Sequence, residues 1–178
     1  MSRIKVAFAA QMRAGKDTAA EFIMKKFGAR NIKFADPIYD ILAYAQQRCG
    51  IPQRKDRLFL QFIGTDWARN TINQNIWVDT LLTSVNQEAG NIVVSDARFK
   101  NEFEVLKEAG FMVVKIERDE SLRMAHESGP ADELHASELD VKTYVGFDAI
   151  VQNNGTIAEF EAQICKLVVD RFGLNCLS

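Results

Sequence analysis

Apolar residues in this chain fall into short, dense runs separated by longer stretches with helical spacing. Residues 4–9, apolar except for Lys5, read as a buried strand, and residues 18–27 carry Ala19, Phe22, Ile23 and Phe27 on one helical face before Gly28. Residues 31–35 suggest a short second strand. Asp36-Pro37 then signals a helix start, with Asp36 as N-cap and Pro37 at the first helical position, running to about Arg48 before Gly50 and Pro52. Residues 57–63 are helical in pattern and Gly64 interrupts them; a further helix through Ile76, Trp77, Leu81, Leu82 and Val85 ends near Gly90. A strand at 92–95, a helix through Phe103 and Leu106 to Gly110, and a strand at 111–116 follow. The last pair is a strand at 149–151 and a helix at 156–172, opened by Thr156 and Glu159 in TxxE spacing and closed by Gly173.

Strands alternating with helices predict right-handed crossovers and a parallel sheet covered on both faces, a three-layer α/β/α domain. Two stretches depart from the alternation. Residues 36–90 are mostly helical, an insertion, and residues 119–140 are acidic, contain Gly129-Pro130 and show little apolar periodicity, as a surface excursion or lid would.

Between the first strand and the first helix stands Ala-Gln-Met-Arg-Ala-Gly-Lys-Asp-Thr, residues 10–18. Strand, glycine turn and helix in that order describe a phosphate-binding loop. Backbone N–H groups of a tight turn form a concave nest, and the helix N-terminus adds partial positive charge. Lys16 supplies a full charge for β- and γ-phosphates, and Gly15 lets the backbone approach the ligand. Against GxxxxGK[ST], Ala10 replaces the first glycine and Asp17 the hydroxyl residue, so Thr18 is expected to take up part of the hydroxyl's role. Donor contacts are accordingly expected from Arg13, Ala14, Gly15, Lys16, Asp17 and Thr18.

Composition narrows the substrate. The chain has 178 residues, 47% of them hydrophobic, enough for a core, and nothing resembles a linker, so one domain over 1–178 is expected. A net charge of −2 with both signs interspersed argues against a nucleic-acid polymer as partner and favours a small charged metabolite. Cys49, Cys165 and Cys176 lack CxxC spacing, and His126 and His135 lack metal-ligand spacing with them, so neither a disulfide framework nor a zinc site is expected. The first apolar run is too short for a signal peptide and no stretch reaches transmembrane length; a soluble, cytoplasmic protein with reduced thiols follows.

In an open parallel sheet, ligands sit beyond the carboxyl ends of the strands. Asp96, placed just after the strand at 92–95, has the position of an acid that holds magnesium through water; an N-cap of the next helix is the alternative. Arg98, two residues on, suits an acceptor phosphate through its planar guanidinium. Arg118 at the end of the next strand, with Arg123 beyond it, could neutralise charge on the transferring group or simply be solvated. Asn153-Asn154-Gly155 is a turn signal that could pass over a purine. Arg57, Gln61 and Thr65 fall at i, i+4 and i+8, on one face if the helix continues, which is also how an ordinary polar face reads. Asp36 has its cap reading, while Asp40 and Tyr44 could face the same acceptor pocket.

Together these motifs resemble the bacteriophage-type deoxynucleoside monophosphate kinases of the P-loop nucleoside monophosphate kinase superfamily, over almost the whole chain. The matching segments are Gly15-Lys16-Asp17-Thr18 with Ala20-Glu21-Phe22-Ile23, Ala35-Asp36-Pro37-Ile38 with Asp40, and Arg57 with Gln61 and Gly64-Thr65-Asp66. Further on come Trp77-Val78, Val94-Ser95-Asp96-Ala97-Arg98 and His135-Ala136-Ser137-Glu138. Ala10, and Tyr39 where a lysine is often seen, depart from the family pattern. The resemblance implies a P-loop kinase fold with a helical acceptor region and a lid, and acceptor contacts from Asp40, Arg57, Gln61, Thr65 and Trp77. It implies ATP as donor, a deoxynucleoside monophosphate as acceptor, and Mg2+ near Asp17, Thr18 and Asp96 without a confidently direct protein ligand. Catalytic roles then fall to Lys16, Asp96, Arg98 and Arg118. A homodimer is compatible with the sequence, although no surface stripe argues for one. Two rival readings stay open: a related small-molecule kinase acting on dephospho-coenzyme A or phosphomevalonate, and a nucleotide-dependent switch, which the absence of NKxD weakens.

Overall fold

A computed structural model of the chain describes residues 3–124 and 136–174. These form two compact units, Met1–Asn31 with Glu88–Ser178, and Ile32–Gln87. The first unit holds the sheet.

Its central strand, β1 (Lys5–Ala10), is buried at five of six positions, as a strand covered on both faces must be. It pairs in parallel with β3 (Ile92–Ala97) on one side and β4 (Met112–Glu117) on the other. β2 (Arg30–Asn31) and β5 (Ala149–Gln152) complete the order β2-β3-β1-β4-β5, all parallel. Chain connections leave β1 toward β2 and β3 and return across it to β4, so the strand order reverses beside β1. The carboxyl end of β1 therefore opens into the crevice where such sheets take ligands. Val6, Phe8, Val114 and Ile116 meet Ala19, Ala20 and Ile23 of α1 (Lys16–Phe27) and Phe160, Ile164 and Val168 of α8 (Ile157–Phe172) in one core. Asn91 pins the opposite edge: its side chain accepts from the Ile4 N–H at 3.0 Å and donates to the Phe27 carbonyl at 2.7 Å.

Helix ends follow local chemistry. Asp17 in the first turn of α1 and Lys25 and Lys26 in its last complement the dipole, and Gly28 closes it in the left-handed conformation. The Thr156 hydroxyl accepts from the Glu159 N–H at 3.2 Å, and Glu159 accepts from the Thr156 N–H at 2.7 Å, the reciprocal box that the sequence announces.

The second unit is helical. It contains α2 (Asp36–Arg48), α3 (Arg57–Gln61), a π-helix (Phe62–Ile72) that continues α3 without a break, and α4 (Ile76–Gln87). Buried Gln46 clamps the irregular segment before α3, donating to the Arg54 carbonyl at 2.8 Å and accepting its N–H at 3.1 Å.

Three sequence expectations are corrected, and the content of the stretch 119–140 is filled in. Strand β2 has two residues, not 31–35. Asp36 is the first residue of α2 and Ala35 its N-cap; the Asp36 carboxylate instead accepts from the Lys33 N–H at 3.0 Å. Gly64 does not interrupt the helix; it lies inside the π-helix, where a Cβ would come within 3.1 Å of Ile38 Cδ1, a tight contact. The stretch 119–140 contains helix, α6 (Glu120–Met124) and α7 (Ala136–Thr143); residues 125–135, with His126 and His135, and Cys176 lie outside the described residues. Among the described residues, no helix is long and apolar enough to cross a membrane.

Candidate phosphate-transfer site

The loop joining β1 to α1 contains two left-handed residues, Arg13 at φ 64° and Gly15 at φ 107°. Alternating hand along a tight turn is what makes successive N–H groups converge into an anion-binding nest. Ala10 needs no glycine. It is still a strand residue, paired with Ile116, with ordinary backbone angles. Ala14 is buried, and its N–H closes a turn on the Gln11 carbonyl at 3.2 Å. Intrahelical bonding resumes with the Ala19 N–H donating to the Gly15 carbonyl at 3.0 Å. The amides of Lys16, Asp17 and Thr18 thus fall in the first turn, where a helix offers no internal acceptor.

Lys16 sits 2.8 Å from the Asp17 carboxylate, with side-chain exposures of 22% and 69%. So solvated a pair is weak, and a polyphosphate can displace Asp17 at little cost. Thr18 is exposed on the same turn.

Asp96 differs from its expected placement. β3 extends to Ala97, so Asp96 is inside the strand, and the register with β1 slips between Val94 and Ala97. Ser95 and Asp96 together face the single residue Phe8, a bulge of the kind that re-aims side chains beside active sites. Asp96 is not a helix cap either. α5 (Lys100–Glu108) is capped by Glu102, 2% exposed, whose carboxylate accepts the N–H groups of Arg98 at 2.8 Å and Phe99 at 3.1 Å. Glu102 thereby holds the backbone that carries the exposed Arg98. The sequence pattern hides it, because Phe99 offers no capping hydroxyl to complete a recognisable box.

Arg118 follows β4 directly, and its Nε is buried without a hydrogen-bond partner. Its carbonyl accepts from the Arg123 Nε of α6 at 3.2 Å. Asn153 follows β5 and its amide donates to the Ala14 carbonyl at 2.9 Å, a contact with the phosphate loop itself. Asp96, Arg118, Asn153 and the loop thus all stand at the carboxyl ends of neighbouring parallel strands, which lie about 4.8 Å apart.

At the same sheet end, Glu117 is hydrogen-bonded by Lys115 and Gln152, each at 2.8 Å, and these bonds hold its carboxyl below the usual glutamate range. A carboxylate with a lowered folded value stabilises the fold above the unfolded value and loses that contribution as pH falls through the folded one. The urea midpoint of the wild type should exceed that of Glu117→Gln near neutrality, and the gap should close below about pH 4.5. An unchanging gap would show that the bonds do not depend on charge.

In the helical unit, Asp36, Asp40 and Tyr44 occupy one face of α2 at four-residue spacing and are exposed. Arg57 and Gln61 are the exposed ends of α3. Thr65 lies in the π-helix, whose wider i→i+5 winding changes the angle at which it leaves the axis, so the i+8 spacing does not carry through unchanged. Trp77 is 4% exposed and its indole N–H donates to the Gly64 carbonyl at 2.8 Å. The indole N–H is thereby satisfied within the helical unit.

A family model described as deoxynucleotide monophosphate kinase matches residues 54–164, more than half the chain. The chain belongs to that family. A relative from Acanthamoeba polyphaga mimivirus, named provisionally as a deoxynucleotide monophosphate kinase, is 27% identical, covering 91% of this chain and 94% of its own. An uncharacterized protein, ORF77 of Ictalurid herpesvirus 1, is 32% identical over 89% of this chain and 68% of its own. Among solved structures, shikimate kinase from Aquifex aeolicus superposes with a TM-score of 0.60 at 14% identity, covering 96% of this chain and 99% of that one. A gluconokinase from Sinorhizobium meliloti gives 0.52 at 18%, covering 97% and 98%. At such identities these two show the fold alone, the P-loop kinase α/β/α arrangement. This kinase is a phosphoryl transferase whose family match begins beyond the glycine loop, so family and loop are independent observations.

Proposed function

We propose that this kinase moves the γ-phosphoryl group of ATP to a deoxynucleoside 5′-monophosphate, producing the diphosphate and ADP. The observation that carries the reading is the β1–α1 loop, with Arg13 and Gly15 left-handed and Lys16 at the helix start, in a chain of this family. Lys16 and the amides of residues 15–18 hold the β- and γ-phosphates. Arg98 binds the acceptor phosphate, and the Arg118 guanidinium, whose Nε lacks a partner, neutralises charge on the transferring group. An ionised acceptor oxygen is already nucleophilic, so positioning and charge neutralisation account for the catalysis.

The residues fit a magnesium ion bound with the triphosphate. Among the described residues there is no cluster of three carboxylate, histidine or cysteine ligands, and a magnesium ion shared with nucleotide phosphates needs only one or two protein oxygens and water. The Thr18 hydroxyl and Asp96 would hold it, with Asp17 close by, and the ion would neutralise phosphate charge. On the helical unit, Asp40, Arg57, Gln61 and Thr65 recognise the acceptor, with Asp36 and Tyr44 on the same face as Asp40.

A coupled assay with ATP, Mg2+ and a panel of deoxynucleotide, ribonucleotide and unrelated phosphate acceptors tests this. Turnover should require a deoxynucleoside monophosphate; ADP release independent of any acceptor would refute the proposal. In the same assay Arg57→Ala should raise the acceptor KM by about tenfold, as expected for a lost charged hydrogen bond, with the ATP KM unchanged. Unaltered acceptor kinetics would remove Arg57 from the acceptor site.

A further inference from the structure

The turn after β5 is tied to the rest of the sheet end by a chain of hydrogen bonds. The Asn153 N–H donates to the Glu117 carbonyl at 2.8 Å, which fixes its backbone to the end of β4. Next to it, Asn154 and Asp119 bond reciprocally: the Asp119 N–H donates to Asn154 Oδ1 at 2.8 Å, and Asn154 Nδ2 donates to the Asp119 carboxylate at 2.9 Å. From this anchored base the Asn153 side chain reaches the Ala14 carbonyl at 2.9 Å. It also abuts Gly15: a Cβ on that glycine would lie 2.4 Å from Asn153 Nδ2, with Phe160 Cε1 3.6 Å away.

Peptide geometry gives this contact a consequence. No peptide bond in the described chain is cis, so the Gly15 N–H lies opposite the Ala14 carbonyl across a planar unit. An Ala14 oxygen held by Asn153 keeps the Gly15 N–H turned away from Asn153. If the 14–15 peptide flipped, a carbonyl oxygen would replace the N–H at the same place, presenting an acceptor to an anion. Glycine at position 15 makes such a flip sterically easy, since no Cβ opposes it.

We propose that Asn153 is a positioning residue for the donor phosphates: its amide locks the 14–15 peptide in the orientation that offers the Gly15 N–H to a polyphosphate. The role rests on the donor-loop reading above. It is a separate role from the purine contact that the turn sequence suggested, since the bond to Ala14 uses one amide hydrogen only.

Asn153→Ala and the isosteric Asn153→Asp test it, the latter keeping the backbone bond to Glu117 while replacing the donor by a carboxylate. ADP affinity by calorimetry, the KM values for ATP and for the deoxynucleoside monophosphate, and thermal melting are measured. Gln163→Ala is the control. It removes a 3.0 Å bond from Gln163 Nε2 to the Gln152 carbonyl, in the same β5–α8 corner but away from the loop. Asn153→Ala should weaken ADP binding and raise the ATP KM about tenfold, Asn153→Asp more, with the acceptor KM within about twofold of wild type. Gln163→Ala should leave nucleotide affinity unchanged. A purely structural role would lower the melting temperature of Asn153→Ala and leave its ADP affinity intact. If Asn153→Ala binds ADP normally while Lys16→Ala does not, the positioning role is wrong and the donor loop stands. If Lys16→Ala also binds ADP normally, the donor loop fails and the positioning role with it.

Discussion

Lys16→Ala is expected to lower kcat/KM by a factor on the order of a thousand or more, with most of the loss in kcat. Lys16 is the cation at the start of α1, next to the left-handed Gly15, and its side chain is 22% exposed. Its partner Asp17 is 69% exposed, so the ion pair contributes little to folding and the melting temperature should barely move. A single-turnover experiment separates the parts of the effect. Loss of the cation expected to face the γ-phosphate should slow the chemical step, while the remaining backbone amides of the loop should still bind ADP, more weakly. A Lys16→Ala enzyme with wild-type kcat would place phosphoryl transfer elsewhere. Lys16→Arg should recover little, because a broad planar guanidinium does not replace a compact ammonium group in a loop closed by backbone.

Trp77→Ala should destabilise the helical unit by about 3–5 kcal/mol, the range for deleting a buried aromatic side chain. Trp77 is 4% exposed, and its N–H bonds to the Gly64 carbonyl within the π-helix, so the change opens a cavity and removes a hydrogen bond together. Trp77→Phe should cost less, since it keeps most of the apolar volume. Urea unfolding followed by circular dichroism gives the difference. Fluorescence provides a second signal, because the other tryptophan, Trp67, is 41% exposed and should leave a red-shifted spectrum when Trp77 is gone. An unchanged urea midpoint with a raised acceptor KM would instead favour direct acceptor recognition by Trp77.

Much of the fold was legible because its signals are local. The glycine turn, the reciprocal Thr156 and Glu159 cap and the left-handed glycines at 28 and 173 each depend on residues within one or two turns of each other. The helix ending at Arg48 and the short, mainly apolar runs that became β1, β3 and β4 are of the same kind. Ends of strands were less legible. Asp96 looked like the first polar residue of a loop, yet the bulge opposite Phe8 carries β3 on through it. Polarity marks exposure, and a strand edge at a ligand crevice is exposed while still hydrogen-bonded. Gly64 misled for a related reason: glycine is a poor helix former locally, but here it lies inside the π-helix against Ile38, where a side chain would be crowded.

The sequence by itself determined the order of strand, phosphate loop and helix, the parallel α/β class, and the residues at the mouth of the sheet. It could do so because periodicity, caps and Gly15-Lys16-Asp17-Thr18 act over short distances along the chain. Only the tertiary structure decided that Glu102 rather than Asp96 caps α5, that the Trp77 indole bonds the Gly64 carbonyl, and that Asn153 reaches Ala14 across a separation of 139 residues. Those outcomes depend on which polar groups burial leaves to be satisfied by a distant neighbour. Local pattern does not carry that information, because it arises only when the strands have been brought side by side.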